Sequence, residues 1–143
     1  MRWLELTVEA DSEAIEAVSE ILGRLGHGAA TVDAIDTDPE ATAATAANAT
    51  VNRLADRLSV RLGTLDEAPS EPYPLVLANL VAVVLIELAS RLAAHLAPGG
   101  TLLASGIIDE RAGEVEAALV AAGLRCAKRR IDGEWVSLRM LRA

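Results

Sequence analysis

The run Ile35-Asp36-Thr37-Asp38-Pro39 sets a carboxylate at the end of an apolar segment and directly before a helix start. An acid at the carboxyl end of a strand in a nucleotide-binding α/β fold can accept hydrogen bonds from ribose hydroxyls. The competing reading makes Asp36 and Asp38 turn and cap residues only. Asn79 closes a second apolar run, Leu75 to Ala78, where its amide offers a donor and an acceptor at the sheet edge; its competing reading is a simple turn residue. His27 stands between two glycines with no obvious partner, which suits a loop histidine better than a catalytic base. No metal site is expected.

The elements that must position Asp36 and Asn79 follow from periodicity. Tyr73 to Gly106 reads as strand, helix and strand: an apolar run to Asn79, an amphipathic helix with Leu85, Leu88, Leu92 and Leu96 on one face, a Pro-Gly-Gly stop, and a second apolar run. Parallel strands need a crossover of a dozen or more residues, so this is a βαβ unit, and its ligand crevice lies beyond the strands' carboxyl ends. Trp3 to Glu9 alternates as a half-buried strand, expected at an edge or antiparallel. A helix over Ile15, Val18, Leu22 and Leu25 follows it, stopped at Gly26. Ala30 to Asp36 is the next strand. Asp38-Pro39-Glu40 starts a helix running to about Leu54, and Ser59 to Leu62 is a short strand. Asp109 to Ala122 is a helix stopped by Gly123, and Leu124 to Leu141 is a hairpin turned at Asp132-Gly133.

Composition narrows the classes. At 143 residues the chain is one domain's worth, able to bury roughly 68–70% of its unfolded surface. It has no Phe, two Trp and one Tyr, and its net charge is −8, so base-stacking nucleic-acid binding is not expected. Residues 1 to 50 hold ten acids against Arg2 and Arg24. Arg125, Lys128, Arg129, Arg130, Arg139 and Arg142 cluster near the C-terminus, as a solvated strand face or an acidic-partner contact. Cys126 is the only cysteine, so no internal disulfide can form; this suits a reducing, cytoplasmic compartment. No secretory leader is expected, and polar residues interrupt the one stretch apolar enough to suggest a membrane helix.

The runs AIDTDPEATAATAANATVNRL, LSVRLGTL, YPLVLANLVAVVLIELASRLAAHLAPGGTLLASGI and GEWVSL resemble, in unbroken order over residues 31 to 138, the catalytic domain of ribosomal protein L11 methyltransferases. The resemblance implies an α/β fold: a single three-layer Rossmann-like methyltransferase domain over 1 to 143, mostly parallel with an antiparallel C-terminal hairpin. It implies S-adenosylmethionine as cofactor and amino groups of a ribosomal protein as methyl acceptors; apart from the resemblance, no membrane association is expected, and a second chain completing the sheet would make a homo-oligomer. Asp36 then matches the acid that holds the cofactor's ribose, and Asn79 the asparagine beside the reacting methyl group. Asn48 and Asn52 match family asparagines with a structural reading.

Three departures accompany the likeness. The family's Gly-rich cofactor turn, where backbone N–H groups and missing Cβ atoms allow close approach, is absent. Gly26-His27-Gly28 follows a helix and precedes a strand, the reverse of the required context. Pro74 stands where the family commonly has Asp. Residues 1 to 29 resemble the start of the family's separate N-terminal domain, so Trp3 to Glu9 is the segment available to replace the missing first strand. Two functions follow: a methyltransferase, or a non-catalytic Rossmann-like module that binds or oligomerises.

Overall fold

In the computed structural model, residues 2–7 and 31–143 are described, and the expected helix over Ile15 to Leu25, the Gly26-His27-Gly28 turn and His27 fall outside them. The chain divides into two compact units, Met1–Pro69 and Ser70–Ala143.

The first unit holds β1 (Arg2–Thr7), β2 (Thr31–Asp36) and β3 (Leu58–Leu62), with α1 (Pro39–Val51) between the last two. β1 runs parallel to β2, Arg2 opposite Thr31 and Leu6 opposite Ile35, and β2 runs parallel to β3. Of the two expectations for β1, an edge or an antiparallel strand, the antiparallel one is therefore corrected. Alternation of polar and apolar residues reports a strand's faces and is silent on its direction; the chain between Thr7 and Thr31 is long enough for the crossover that a parallel pair requires. β2 is buried from Val32 to Asp36, as a strand covered on both faces must be.

α1 begins as its sequence dictates. Asp38 is extended, its side chain accepts the Glu40 N–H, and Pro39 takes a first-turn position where its missing N–H costs nothing. The helix ends at Val51, short of Leu54, where the Asn52 N–H and side-chain amide both donate to the Asn48 carbonyl. Asn48 and Asn52 thus form a helix C-cap, the structural role expected of them.

The second unit holds β4 (Tyr73–Asn79), α2 (Ala82–Ala94), β5 (Leu96–Ile108), α3 (Asp109–Ala121), β6 (Leu124–Asp132) and β7 (Trp135–Arg142). β4 and β5 are parallel, completing the βαβ unit, while β7 lies antiparallel between β5 and β6. Pro98-Gly99-Gly100 does not precede β5 but lies within it. Tyr73 pairs with Leu96, and pairing resumes with Leu75 opposite Thr101, so these residues form a bulge between two paired stretches. Gly99 has φ +73°, and a Cβ on Gly100 would stand 2.7 Å from the Ala97 carbonyl oxygen. Both glycines are thereby required.

One face of these strands carries the core. Val76 and Ala78 of β4, Leu102 and Ala104 of β5, and Val136, Leu138 and Met140 of β7 are buried with Leu85, Ala89 and Leu92 of α2 and Val115 and Leu119 of α3. Aliphatic burial at about 25 cal/mol per Å² supplies the main stabilisation. Gly123, at φ +93°, ends α3 as expected, and the β6–β7 hairpin turns at Asp132-Gly133.

Candidate functional site

The first unit places Asp36 at the carboxyl end of β2, 7% exposed. Its Oδ1 accepts the Asp38 N–H at 2.8 Å, and its backbone carbonyl accepts the Gly63 N–H at 2.8 Å, which ties the ends of β2 and β3 together. No side chain among the described residues donates to the carboxylate. Burial, followed by the charge of Asp38, raises the pKa of this carboxyl; hydrogen bonds from the Asp38 and Thr37 backbone oppose the rise. A buried carboxylate that no side-chain donor reaches is costly unless something donates to it.

β2 holds a second buried acid, Asp33, 4% exposed, with the Arg61 guanidinium of β3 3.8 Å away. That ion pair marks Asp33 as a link between strands. The two acids of β2 therefore differ in chemistry: a cation faces Asp33, and among the described residues only backbone donors reach Asp36.

The second unit places Asn79 at the last position of β4, half-buried, directly opposite Ser105 in the parallel register. The Ser105 hydroxyl donates to Asn79 Oδ1 at 3.2 Å, and the Leu80 N–H donates to the Ser105 carbonyl at 3.1 Å. Gly106 follows at φ +78°; a Cβ there would lie 2.8 Å from Asn79 Oδ1 and 2.9 Å from the Leu80 carbonyl oxygen. A side chain at position 106 would displace the amide. Ser105 carried no functional reading in the sequence, because its contact with Asn79 spans 26 residues and no local pattern encodes it.

The basic C-terminal cluster resolves into two populations. Arg129 pairs with Asp109 at the start of α3, and Arg142 donates to the Ala93, Ala94 and Leu96 carbonyls at the end of α2. A cavity of about 230 Å³ beside Arg142 is lined by Ser90, Ala94, Gly123 and Leu124. The guanidinium on its wall is engaged as a helix cap. Arg125, Lys128, Arg130 and Arg139 are exposed and share the opposite strand face. Burial, then Glu116, raises the pKa of the half-buried Cys126 thiol. Among the described residues no helix is long and apolar enough to cross a membrane.

A family model for ribosomal protein L11 methyltransferase (PrmA) matches residues 24–143. The chain belongs to this family. The L11 methyltransferase of Pelotomaculum thermopropionicum is 46% identical over 111 residues, covering 78% of this chain and 36% of that protein. That of Symbiobacterium thermophilum is 39% identical over 142 residues, covering 96% of this chain and 46% of the relative. The chain thus spans less than half the length of these curated relatives. Among solved structures, the ribosomal protein L11 methylase of Lactobacillus delbrueckii subsp. bulgaricus superposes with a TM-score of 0.82 at 22% identity, covering 99% of this chain and 69% of that one. An RNA methyltransferase from Salinibacter ruber, solved with S-adenosyl-L-homocysteine, gives 0.68 at 20%, covering 98% and 79%. At these identities the likeness establishes the fold, which is the Rossmann-like α/β fold of methyltransferases. This L11 methyltransferase relative therefore has the family and the fold that its motifs indicated.

Proposed function

We propose that this chain is an S-adenosylmethionine-dependent methyl-transfer module acting in the cytoplasm on amino groups of a ribosomal protein. The observation that carries the reading is Asp36, a buried carboxylate at a strand's carboxyl end that no side-chain donor reaches among the described residues. A vicinal diol can donate to such a carboxylate, and a ribose is the diol that the family's cofactor offers. In this reading Asp36 anchors the ribose and Asn79 borders the acceptor nitrogen. When bound, the cofactor supplies a methyl group on a positively charged sulfur. The chain's own contribution is positioning, since the acceptor amine must be neutral and held in line.

One observation favours a second reading, a binding module without catalysis: the sequence has no Gly-rich turn through which backbone N–H groups could approach the cofactor closely. Calorimetric titration with S-adenosylmethionine separates the two. Micromolar binding that is lost in Asp36→Ala supports the first reading, and the absence of heat at millimolar ligand leaves the second.

A further inference from the structure

The charges of the second unit are sorted by layer. Its two helices hold Glu87, Asp109, Glu110, Glu114 and Glu116 against Arg91 and Arg111, whereas the cations of β6 and β7 meet a single acid, Asp132 at the hairpin tip. Both helices cover the sheet face on which Val136, Leu138 and Met140 are buried. Alternation along β7 sends Trp135 and Arg139 to the other face, and the register sets Arg125, Lys128 and Arg130 of β6 on that same face. All five are exposed, Trp135 by 53%. Arg129 is engaged by Asp109 and Arg142 by the end of α2, but none of these four cations has an ion pair or side-chain hydrogen bond among the described residues. Lys128 and Arg139 are also direct cross-strand partners, a like-charge arrangement that is destabilising unless an anion comes between them. The acids of α2 and α3 lie a helix layer behind, about 10 Å. That exceeds the screening length of about 8 Å at physiological salt, so an anion approaching this face meets the cations.

We propose that the open face of β6 and β7 binds single-stranded RNA, with phosphates on Arg125, Lys128, Arg130 and Arg139 and one unpaired base on Trp135. Cations two residues apart on a strand recur at about 6.8 Å, a spacing of the same order as successive phosphates along an extended polynucleotide. Three of the four are arginines, whose planar fork meets a phosphate through two parallel hydrogen bonds. The exposed indole supplies a face on which any base stacks; an acidic peptide would use the cations and leave the indole without a role. Asp132 stands directly opposite Trp135, where its carboxylate repels phosphate and accepts from base amino groups. The base therefore belongs at the hairpin end and the backbone along the cations. The scarcity of aromatic residues argues against a series of stacked bases, and this face needs one. The binding is independent of methyl transfer.

The experiment titrates a fluorescently labelled oligouridylate of about 12 nucleotides with the full chain and follows its anisotropy, without S-adenosylmethionine, between about 50 and 200 mM salt. Affinity is expected to fall with salt at a double-logarithmic slope of about −2 to −3, the value for three or four phosphates on a single strand. Replacing Lys128 and Arg139 together by Ala, which also removes their mutual repulsion, should bring that slope about 1.4 closer to zero. Trp135→Leu should weaken binding about 5- to 150-fold, while Trp135→Phe, which keeps an aromatic face, should retain most of it. Arg111→Ala, on α3 and paired with Glu114, should bind as the native chain does. No anisotropy change at about 10⁻⁴ M chain in the lowest salt overturns the inference. A slope unchanged in the double variant, native binding in Trp135→Leu, or an equal loss in Arg111→Ala overturns it as well. So does displacement of the RNA by polyglutamate at equal or lower charge concentration, which would assign the face to an acidic protein.

Discussion

Replacing Asp36 by Asn should make the protein more stable and a poorer ligand binder at once. The carboxylate is 7% exposed, one oxygen accepts the Asp38 N–H, and no cation faces the other among the described residues. Its folded pKa is raised, first by burial and then by the charge of Asp38. A raised acid pKa means that the native state holds its proton longer than the unfolded one. Stability from this group is therefore complete below the unfolded value of 3.8 and is lost as pH rises through 3.8 to the raised folded value. An amide keeps the acceptor for the Asp38 N–H and removes the charge. Thermal unfolding should show Asp36→Asn melting above the native chain at pH 7, with the gap closing near pH 3. Binding should move the other way, because the amide exchanges an acceptor oxygen for a donor where a ribose hydroxyl must donate. One charge-assisted hydrogen bond is worth about 1.5–3 kcal/mol, which is about 10- to 150-fold in Kd for S-adenosylmethionine by calorimetry. Asp36→Asn binding within threefold of native, or melting lower at pH 7, refutes the reasoning.

Gly106→Ala sets a Cβ against Asn79 Oδ1 and the Leu80 carbonyl at φ +78°, and should lower unfolding stability in urea by about 1–2 kcal/mol or more; an unchanged midpoint would show that β5 can relax there. Burial, then the Arg91 charge, lowers the His95 pKa at the end of α2, so its stability contribution is complete above 6.5 and falls as pH drops through 6.5 to the lower folded value. His95→Gln should consequently show a smaller loss of melting temperature between pH 7.5 and pH 5.5 than the native chain. Lys128 and Arg139 stand directly opposite across β6 and β7, a like-charge pair, so Arg139→Glu should raise stability by about 0.2–1 kcal/mol at low salt, with the gain fading at high salt. A loss of stability in that variant would mean that Arg139 has an anionic neighbour.

Local chemistry made much of this fold legible. Asp38-Pro39-Glu40 starts α1 because a cap, a fixed φ and a favourable charge all act within one turn. Asp132-Gly133 turns the last hairpin for equally local reasons. The errors fall where local signals are ambiguous. Pro98-Gly99-Gly100 has the composition of a chain break, yet it forms a bulge because Leu96 is already paired to Tyr73 before it. The direction of β1 is set by its pairing with β2, which its own alternation does not encode. In the C-terminal cluster, a register shift between Cys126 and Lys128 decides which basic side chains share a face, so sequence proximity grouped residues that the sheet separates.

The same distinction holds for the site. Asp36 and Asn79 were readable as polar residues closing apolar strands, since each follows from the chain around it. What distinguishes them from ordinary turn residues is long-range. Asp36 could have been faced by a cation like Asp33, but Arg61 lies against Asp33, and among the described residues no cation faces Asp36. Asn79 could have been a free surface amide, and it is the register with β5 that gives it Ser105 and Gly106. The two residues also predict different failures. Asp36 would hold a group that is the same before and after transfer, so its loss should raise Kd with little further effect on the bound complex. The Asn79 amide would border the acceptor in the proposed reading, so its loss should fall on kcat. A chain that has become a binding module alone would keep the first sensitivity and lose the second, which makes the pair of variants a test between the two functions.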